Sequence, residues 1–158
     1  MNVRPPRVFL WMSLLLTTGL GCSWSADPNQ AKLERVEALY RDGDYRQAME
    51  LVVELDRALP GNPVVLRWLG TVQLALGELD EAIASLSASL AADPHSAAAL
   101  NNLGLAYLRK GMTSAAVEQF TKAIALEPEG FEGHLNLATA LSQMGEHAKA
   151  VPEYEAAL

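Results

Sequence analysis

Apolar residues recur at helical spacing over most of the chain, and the region 97–126 shows the pattern most clearly. Two sets of large apolar residues lie three or four positions apart there: Leu100, Leu103 and Tyr107, then Val117, Phe120 and Ile124. Such spacing places each set on one face of an amphipathic helix. The pattern predicts two helices, from about Ala98 to Lys110 and from about Ser114 to Leu126, joined by a turn at Gly111.

Three residue types share a period of 34 positions along the chain. The three series are Pro60, Pro94 and Pro128; Gly43, Gly77, Gly111 and Gly145; and Ala48, Ala82, Ala116 and Ala150. A period of this length is typical of solenoid proteins, in which each unit is one pair of helices. Because one pair cannot bury both of its faces, stacked neighbours complete each core, and at least three units are needed for stability.

Small residues and turn residues occur at the positions where a helix pair needs them. Gly104 and Ala116 are small, which lets the two helices of one pair approach closely. Gly111 can adopt the left-handed conformation that ends a first helix, and Pro128 cannot continue a second helix. The predicted fold class is therefore all-α.

The unit from Ala97 to Gly130 resembles the tetratricopeptide repeat in its consensus residues. These are Leu100, Leu103, Gly104, Tyr107, Ala116, Phe120, Ala123 and Pro128, with Leu100 standing where the family usually has Trp. The resemblance implies a right-handed superhelical solenoid of antiparallel helix pairs. The first unit departs from the pattern, because Arg35 stands where a core Leu is expected and Val36 replaces a small residue.

The resemblance divides most of the chain into four repeats. The predicted units are residues 29–62 with a degenerate first helix, 63–96, 97–130 and an incomplete 131–158. The fourth unit reaches Leu158, six positions short of a full period. We interpret the chain as part of a longer protein. An alternative interpretation is therefore that the chain is the N-terminal fragment of a larger repeat-containing protein of the cell envelope or of polysaccharide export.

Residues 1–21 have the composition of a secretory signal peptide. Arg4 and Arg7 precede an apolar stretch from Val8 to about Leu16, and small residues follow. The apolar stretch is shorter than the roughly 20 residues that a helix needs to cross a bilayer. The sequence therefore predicts export.

The sequence around Cys22, the single cysteine, resembles the lipobox of bacterial lipoproteins. Cys22 follows the small Gly21 at the end of the apolar region, although Gly19 stands where the family prefers Leu. The resemblance implies cleavage before Cys22, acylation of its thiol and of its new amino group, and a short tether over residues 22–28. Several acyl chains hold a protein stably at a membrane. Ser23 after the cysteine implies an outer-membrane location facing the periplasm.

Two alternatives stay open for this region. Small residues at the spacing that the ordinary signal peptidase requires occur twice, at Gly19 and Gly21 and at Ser23 and Ser25. Cleavage there would give a soluble periplasmic or secreted adaptor. An uncleaved N-terminal anchor is the other alternative.

The charge of the chain narrows the range of partners. The formal net charge is -7, and residues 1–21 contain two of the 12 basic residues and none of the 19 acidic ones. The remainder therefore has 10 basic and 19 acidic residues, a net charge of -9. Because an acidic surface repels phosphate backbones, nucleic acid is not an expected partner.

Motifs for catalysis and cofactor binding do not occur in the sequence. There is no Gly-rich phosphate loop, no HExxH and no nucleophile elbow. Cys22 lies far along the sequence from the three histidines, His95, His134 and His147, so no cysteine-based zinc site is expected. We therefore predict that the protein is not an enzyme and has no cofactor, metal or small-molecule substrate. Trp68 and the histidines are interpreted as packing or surface residues.

The resemblance implies that the second, fifth, ninth, twelfth and thirteenth residues of each repeat line a concave groove. The groove residues predicted in this way are Arg67, Thr71, Asn101, Leu105, Leu108, Arg109, Leu135 and Thr139. Their mixture of apolar and hydrogen-bonding groups suits a protein or peptide segment. Some family members use a Lys/Asn/Arg clamp for a terminal carboxylate. That clamp is not expected here, because Glu132 at one of its positions would repel a carboxylate.

Overall fold

A computed structural model of the protein describes residues 27–158. These residues form eight α-helices and no strand: α1 (Pro28–Arg41), α2 (Tyr45–Ala58), α3 (Pro63–Leu76), α4 (Leu79–Ala92), α5 (Ala97–Arg109), α6 (Thr113–Leu126), α7 (Phe131–Gln143) and α8 (His147–Ala156). The predicted signal peptide, Cys22 and most of the predicted tether lie outside the described residues.

Capping side chains begin several helices, and glycines end the first helix of each pair. The Asn62 side chain accepts hydrogen bonds from the backbone N–H groups of Val64 and Val65, at 3.0 and 3.2 Å. These bonds satisfy donors that have no partner inside α3. Gly111 has a φ of 79°, a left-handed conformation that side chains disfavour. The sequence therefore predicted the turn between α5 and α6 correctly, and the helix bounds to within one residue.

Glycine allows the two helices of the second and third pairs to touch. A Cβ atom added at Gly104 would lie 2.4 Å from Cε1 of Phe120, which is itself fully buried at 0% exposure. A Cβ atom added at Gly70 would lie 2.6 Å from Cγ of Leu86 and 3.1 Å from the carbonyl oxygen of Ala82. The large side chain of each second helix thus occupies the space that glycine leaves on the first.

The first pair reaches the same packing with different residues. Val36 stands where the later repeats have Gly70 and Gly104, and Val52 stands where they have Leu86 and Phe120. Val36 and Val52 are both fully buried in one core cluster. A larger residue on α1 is therefore balanced by a smaller one on α2. Arg35, the other departure from the repeat pattern, is exposed.

Each helix packs against the next, so the four pairs form a continuous stack. The first helices of successive pairs, α1, α3, α5 and α7, also contact one another side by side. This arrangement confirms the predicted all-α solenoid. Within residues 27–158, no helix is long and apolar enough to cross a membrane.

Candidate protein-binding groove

The first helices α1, α3, α5 and α7 form one face of the stack, which we call the groove. Two hydrogen bonds join α5 to α3 along it. The Asn102 side-chain amide donates to the Thr71 hydroxyl at 2.7 Å, and an Arg109 guanidinium N–H donates to the Leu74 carbonyl oxygen at 2.8 Å. These bonds fix the spacing of the two helices in this half of the groove.

Thr71 lies beneath the groove surface and not on it. Thr71 is only 6% exposed, and its hydroxyl donates to the Arg67 carbonyl oxygen at 2.7 Å. Because the same hydroxyl accepts from Asn102, its hydrogen-bonding capacity is used within the fold. The sequence predicted Thr71 as a residue that contacts the bound segment, whereas in the structure its hydroxyl joins α3 to α5. Arg109 is exposed and keeps N–H groups available beyond the bond to Leu74.

Arg67 presents a half-buried cation in the groove. The carbon atom at the centre of its guanidinium lies 5.2 Å from the centroid of the Trp68 ring. Burial lowers the pKa of Arg67, and Glu37 on α1 opposes this shift. Arginine nevertheless stays protonated in proteins. Arg67 takes part in none of the ion pairs among residues 27–158.

An aromatic cluster supports the N-terminal part of the groove. Tyr40 of α1 packs edge-on against Trp68, with ring centroids 5.8 Å apart, and its centroid lies 5.3 Å from that of Tyr45. Burial raises the pKa of Tyr40, Tyr45 adds to the shift, and Arg109 opposes it. Trp68 is therefore a packing residue, as its sequence neighbours indicated. The part played by Tyr40 was missed, although it holds the twelfth position of the first repeat.

Asn101 lies beside a cavity between α5, α6 and α7. Its side-chain oxygen is buried and has no hydrogen-bond partner. The cavity has a volume of about 170 Å³ and is lined by Asn101, Ala123, Glu127, Gly130, Phe131, Glu132 and Gly133. Sequence reasoning did not find Glu127, because the family's groove positions lie on first helices and Glu127 follows the end of α6.

Three of the remaining predicted residues, Leu105, Leu108 and Leu135, are apolar. Leu105 and Leu108 are partly buried and pack against the core clusters beneath them. Leu135 is 41% exposed and Val64 is 43% exposed, so both can contact a bound segment. The Thr139 hydroxyl donates its proton to the Leu135 carbonyl oxygen at 2.8 Å within α7, so only its acceptor capacity is left for a ligand.

His134 joins two helices and the turn before them. Its Nδ1 lies 2.7 Å from a Glu153 carboxylate oxygen on α8, and its Nε2 lies 3.0 Å from the Pro128 carbonyl oxygen. The hydrogen bond to Glu153 and then the bond to Pro128 raise the pKa of His134. Within residues 27–158, no three His, Cys, Asp or Glu side chains come together in a way that could hold a metal ion.

Protein-family models match the same succession of helix pairs. Three family models, each described as tetratricopeptide repeat, match residues 39–104, 97–129 and 131–158. The chain is therefore a tetratricopeptide repeat protein. This class serves as a scaffold for protein interactions, in keeping with the groove described above.

Solved structures of similar proteins share the fold. One is a fragment of MamA from Desulfovibrio magneticus RS-1, which is 26% identical over 82% of this chain and 73% of that chain, with a TM-score of 0.72. Another is TTC0263, a thermophilic tetratricopeptide repeat protein of Thermus thermophilus, also 26% identical over 82% and 73%, with a TM-score of 0.77. No curated protein matches the chain.

Proposed function

We propose that this protein is a non-catalytic scaffold of the bacterial cell envelope, anchored to a membrane by lipid on Cys22, whose groove binds segments of other proteins. The groove carries the binding part of this proposal, because it joins exposed apolar side chains such as Val64 and Leu135 with the unpaired Arg67. Apolar contact area with a few orienting polar groups is typical of peptide-binding surfaces.

Site-specific photo-crosslinking tests the groove. A photoreactive residue at Val64 or Leu135 is expected to capture the same protein partners in cells, because both positions lie on the surface formed by first helices. Ala88 provides the matched control, since it is an exposed residue on the second helix α4. Equal capture from Ala88 and from the two groove positions would contradict the proposal.

The lipid anchor is supported by the position of Cys22 directly after the apolar region of the signal. Metabolic labelling with a fatty acid is expected to mark the wild type and not the Cys22→Ala variant. An unlabelled wild type, or equal label on both, would contradict the anchor. Cleavage after Ser25, read from the mass of the N-terminal peptide, would instead favour a soluble exported adaptor with the same groove.

A further inference from the structure

Arg67 and the cavity beside α7 carry unpaired groups of opposite character. Arg67 on α3 offers hydrogen-bond donors and a positive charge. The cavity beside α7 offers acceptors, namely the Asn101 side-chain oxygen and the carboxylates of Glu127 and Glu132. None of these three charged residues takes part in an ion pair among residues 27–158.

Glu37, the acidic residue whose charge acts on Arg67, already forms an ion pair with Arg41. Glu37 contacts the Arg41 guanidinium at 2.9 Å, one helical turn away on α1. The stacking of Arg67 on Trp68 holds the guanidinium in place without using its N–H donors. A planar guanidinium can bind a carboxylate through two parallel hydrogen bonds. Arg67 is therefore suited to an acidic side chain of a bound segment.

The cavity is suited to a basic side chain. A buried acceptor without a partner carries an energetic cost that an incoming N–H group would remove. The N-terminus of α7 contributes roughly half a positive charge, which is less than the two negative charges of Glu127 and Glu132. The cavity therefore stays net negative. Phe131, 57% exposed at its edge, can contact the aliphatic stem of a lysine or arginine.

We propose that the groove binds an extended protein segment in which an acidic residue contacts Arg67 and a basic residue enters the cavity beside Asn101. This inference rests on the proposed function and names the chemistry of its partner. Neighbouring packed helices lie about 8–10 Å apart, and the cavity lies between α5 and α7, so it is about one and a half spacings from α3, roughly 12–15 Å. An extended chain rises about 3.3 Å per residue. The acidic and basic residues are therefore expected about four positions apart, with apolar residues between them.

Labelled peptides of defined charge order test this proposal with the full-length chain in detergent. The probes are decapeptides of Leu, Ala and Ser with one Glu and one Lys about four positions apart, in both orders, together with versions carrying two Glu or two Lys. Fluorescence anisotropy is expected to show that one mixed-charge order binds best. The Arg67→Glu variant should weaken this binding about tenfold and should improve binding of the two-Lys peptide.

The Glu132→Lys variant gives the complementary result. It should weaken the mixed-charge peptide and improve the two-Glu peptide. Arg46→Glu and Glu50→Lys are the matched controls, because they make the same charge changes at exposed positions of the second helix α2. Circular dichroism of all four variants should show unchanged helix content.

The proposal is overturned if no peptide binds, or if the groove variants change affinity no more than the two controls. Crosslinking from Val64 and Leu135 separates this failure from failure of the scaffold function. Selective capture that persists unchanged in Arg67→Glu and Glu132→Lys would retain a protein-binding groove but reject charge recognition. Absence of selective capture from the wild type would reject the scaffold function itself.

Discussion

At the residue scale, the sizes of facing side chains determine how closely the helices of one pair approach. Gly104 faces Phe120, and Gly70 faces Leu86. In the first repeat, Val36 shares its core cluster with Val52. Because protein interiors are packed to crystal density, each partner is adjusted to the volume of the other.

A methyl group at Gly104 is expected to destabilise the fold. The added Cβ atom would lie 2.4 Å from Cε1 of the buried Phe120, so Gly104→Ala should cost about 1–3 kcal/mol of unfolding free energy. Urea denaturation followed by circular dichroism measures this loss. In the Phe120→Val background the cost of Gly104→Ala should be smaller, since the first repeat packs Val52 at this place against the larger Val36. Additive losses in the double variant would contradict direct contact as the cause.

The periodic residues could be predicted from the sequence, whereas lateral contacts could not. The period predicts the roles of Gly104 in close helix packing and of Gly111 in the turn, because both roles involve contacts within one repeat. The burial of Thr71 and its bond to Asn102 were not predicted, because Asn102 lies 31 residues later on the neighbouring first helix. The unpaired oxygen of Asn101 depends on a cavity shared by three helices. Positions carried over from a family indicate a face, but not which side chains on it are already bonded.

At the element scale, His134 connects α7, α8 and the turn that precedes α7. Both ring nitrogens lie beside oxygen acceptors, at Glu153 and at Pro128. A neutral imidazole has one N–H group and can donate to only one of them. The doubly protonated ring donates to both, which explains why the pKa of His134 is raised, and Glu129 adds a smaller effect.

The attachment of α8 is expected to weaken as the pH rises. Because the folded pKa of His134 is raised above its usual value of about 6.5, its contribution to stability is complete below that pH. The contribution is lost as the pH passes through the raised pKa. The stability difference between the wild type and His134→Gln should therefore be larger at about pH 5.5 than at about pH 8.5.

Nuclear magnetic resonance titration of the His134 ring measures the pKa directly. Glu153→Gln should lower the pKa of His134 because it removes the charged acceptor on α8. The exposed His95 provides a comparison within the same chain. A His134 pKa below about 6.5 in the wild type would contradict the double-donor arrangement.

At the scale of the whole molecule, stability comes from the stacking of neighbours. Among residues 27–158, contacts join each helix to the next helix along the chain, and each first helix to the next first helix. A repeat of 34 residues therefore predicts the architecture well, since every interface is local and similar to the one before it. The same residue position can still be buried in one repeat and exposed in another.

Phe120 and Tyr154 occupy the same place in successive repeats but differ in burial. Phe120 is fully buried, whereas Tyr154 is 39% exposed. Phe120→Ala is expected to cost about 3–5 kcal/mol of unfolding free energy, because it leaves a cavity between helices. Tyr154→Ala should cost clearly less in the same urea titration. Equal losses would show that α8 is covered as fully as α6.

The two hydrogen bonds between α3 and α5 have a mechanical consequence. Any bending of the superhelix that separates these helices must break the bond from Asn102 to Thr71 and the bond from Arg109 to Leu74. Between α5 and α7, the described residues have a cavity and no side-chain hydrogen bond at the corresponding place. The junction between α5 and α7 should therefore bend more readily than the junction between α3 and α5. Changes of curvature should largely spare the junction between α3 and α5 and should not spread evenly along the stack.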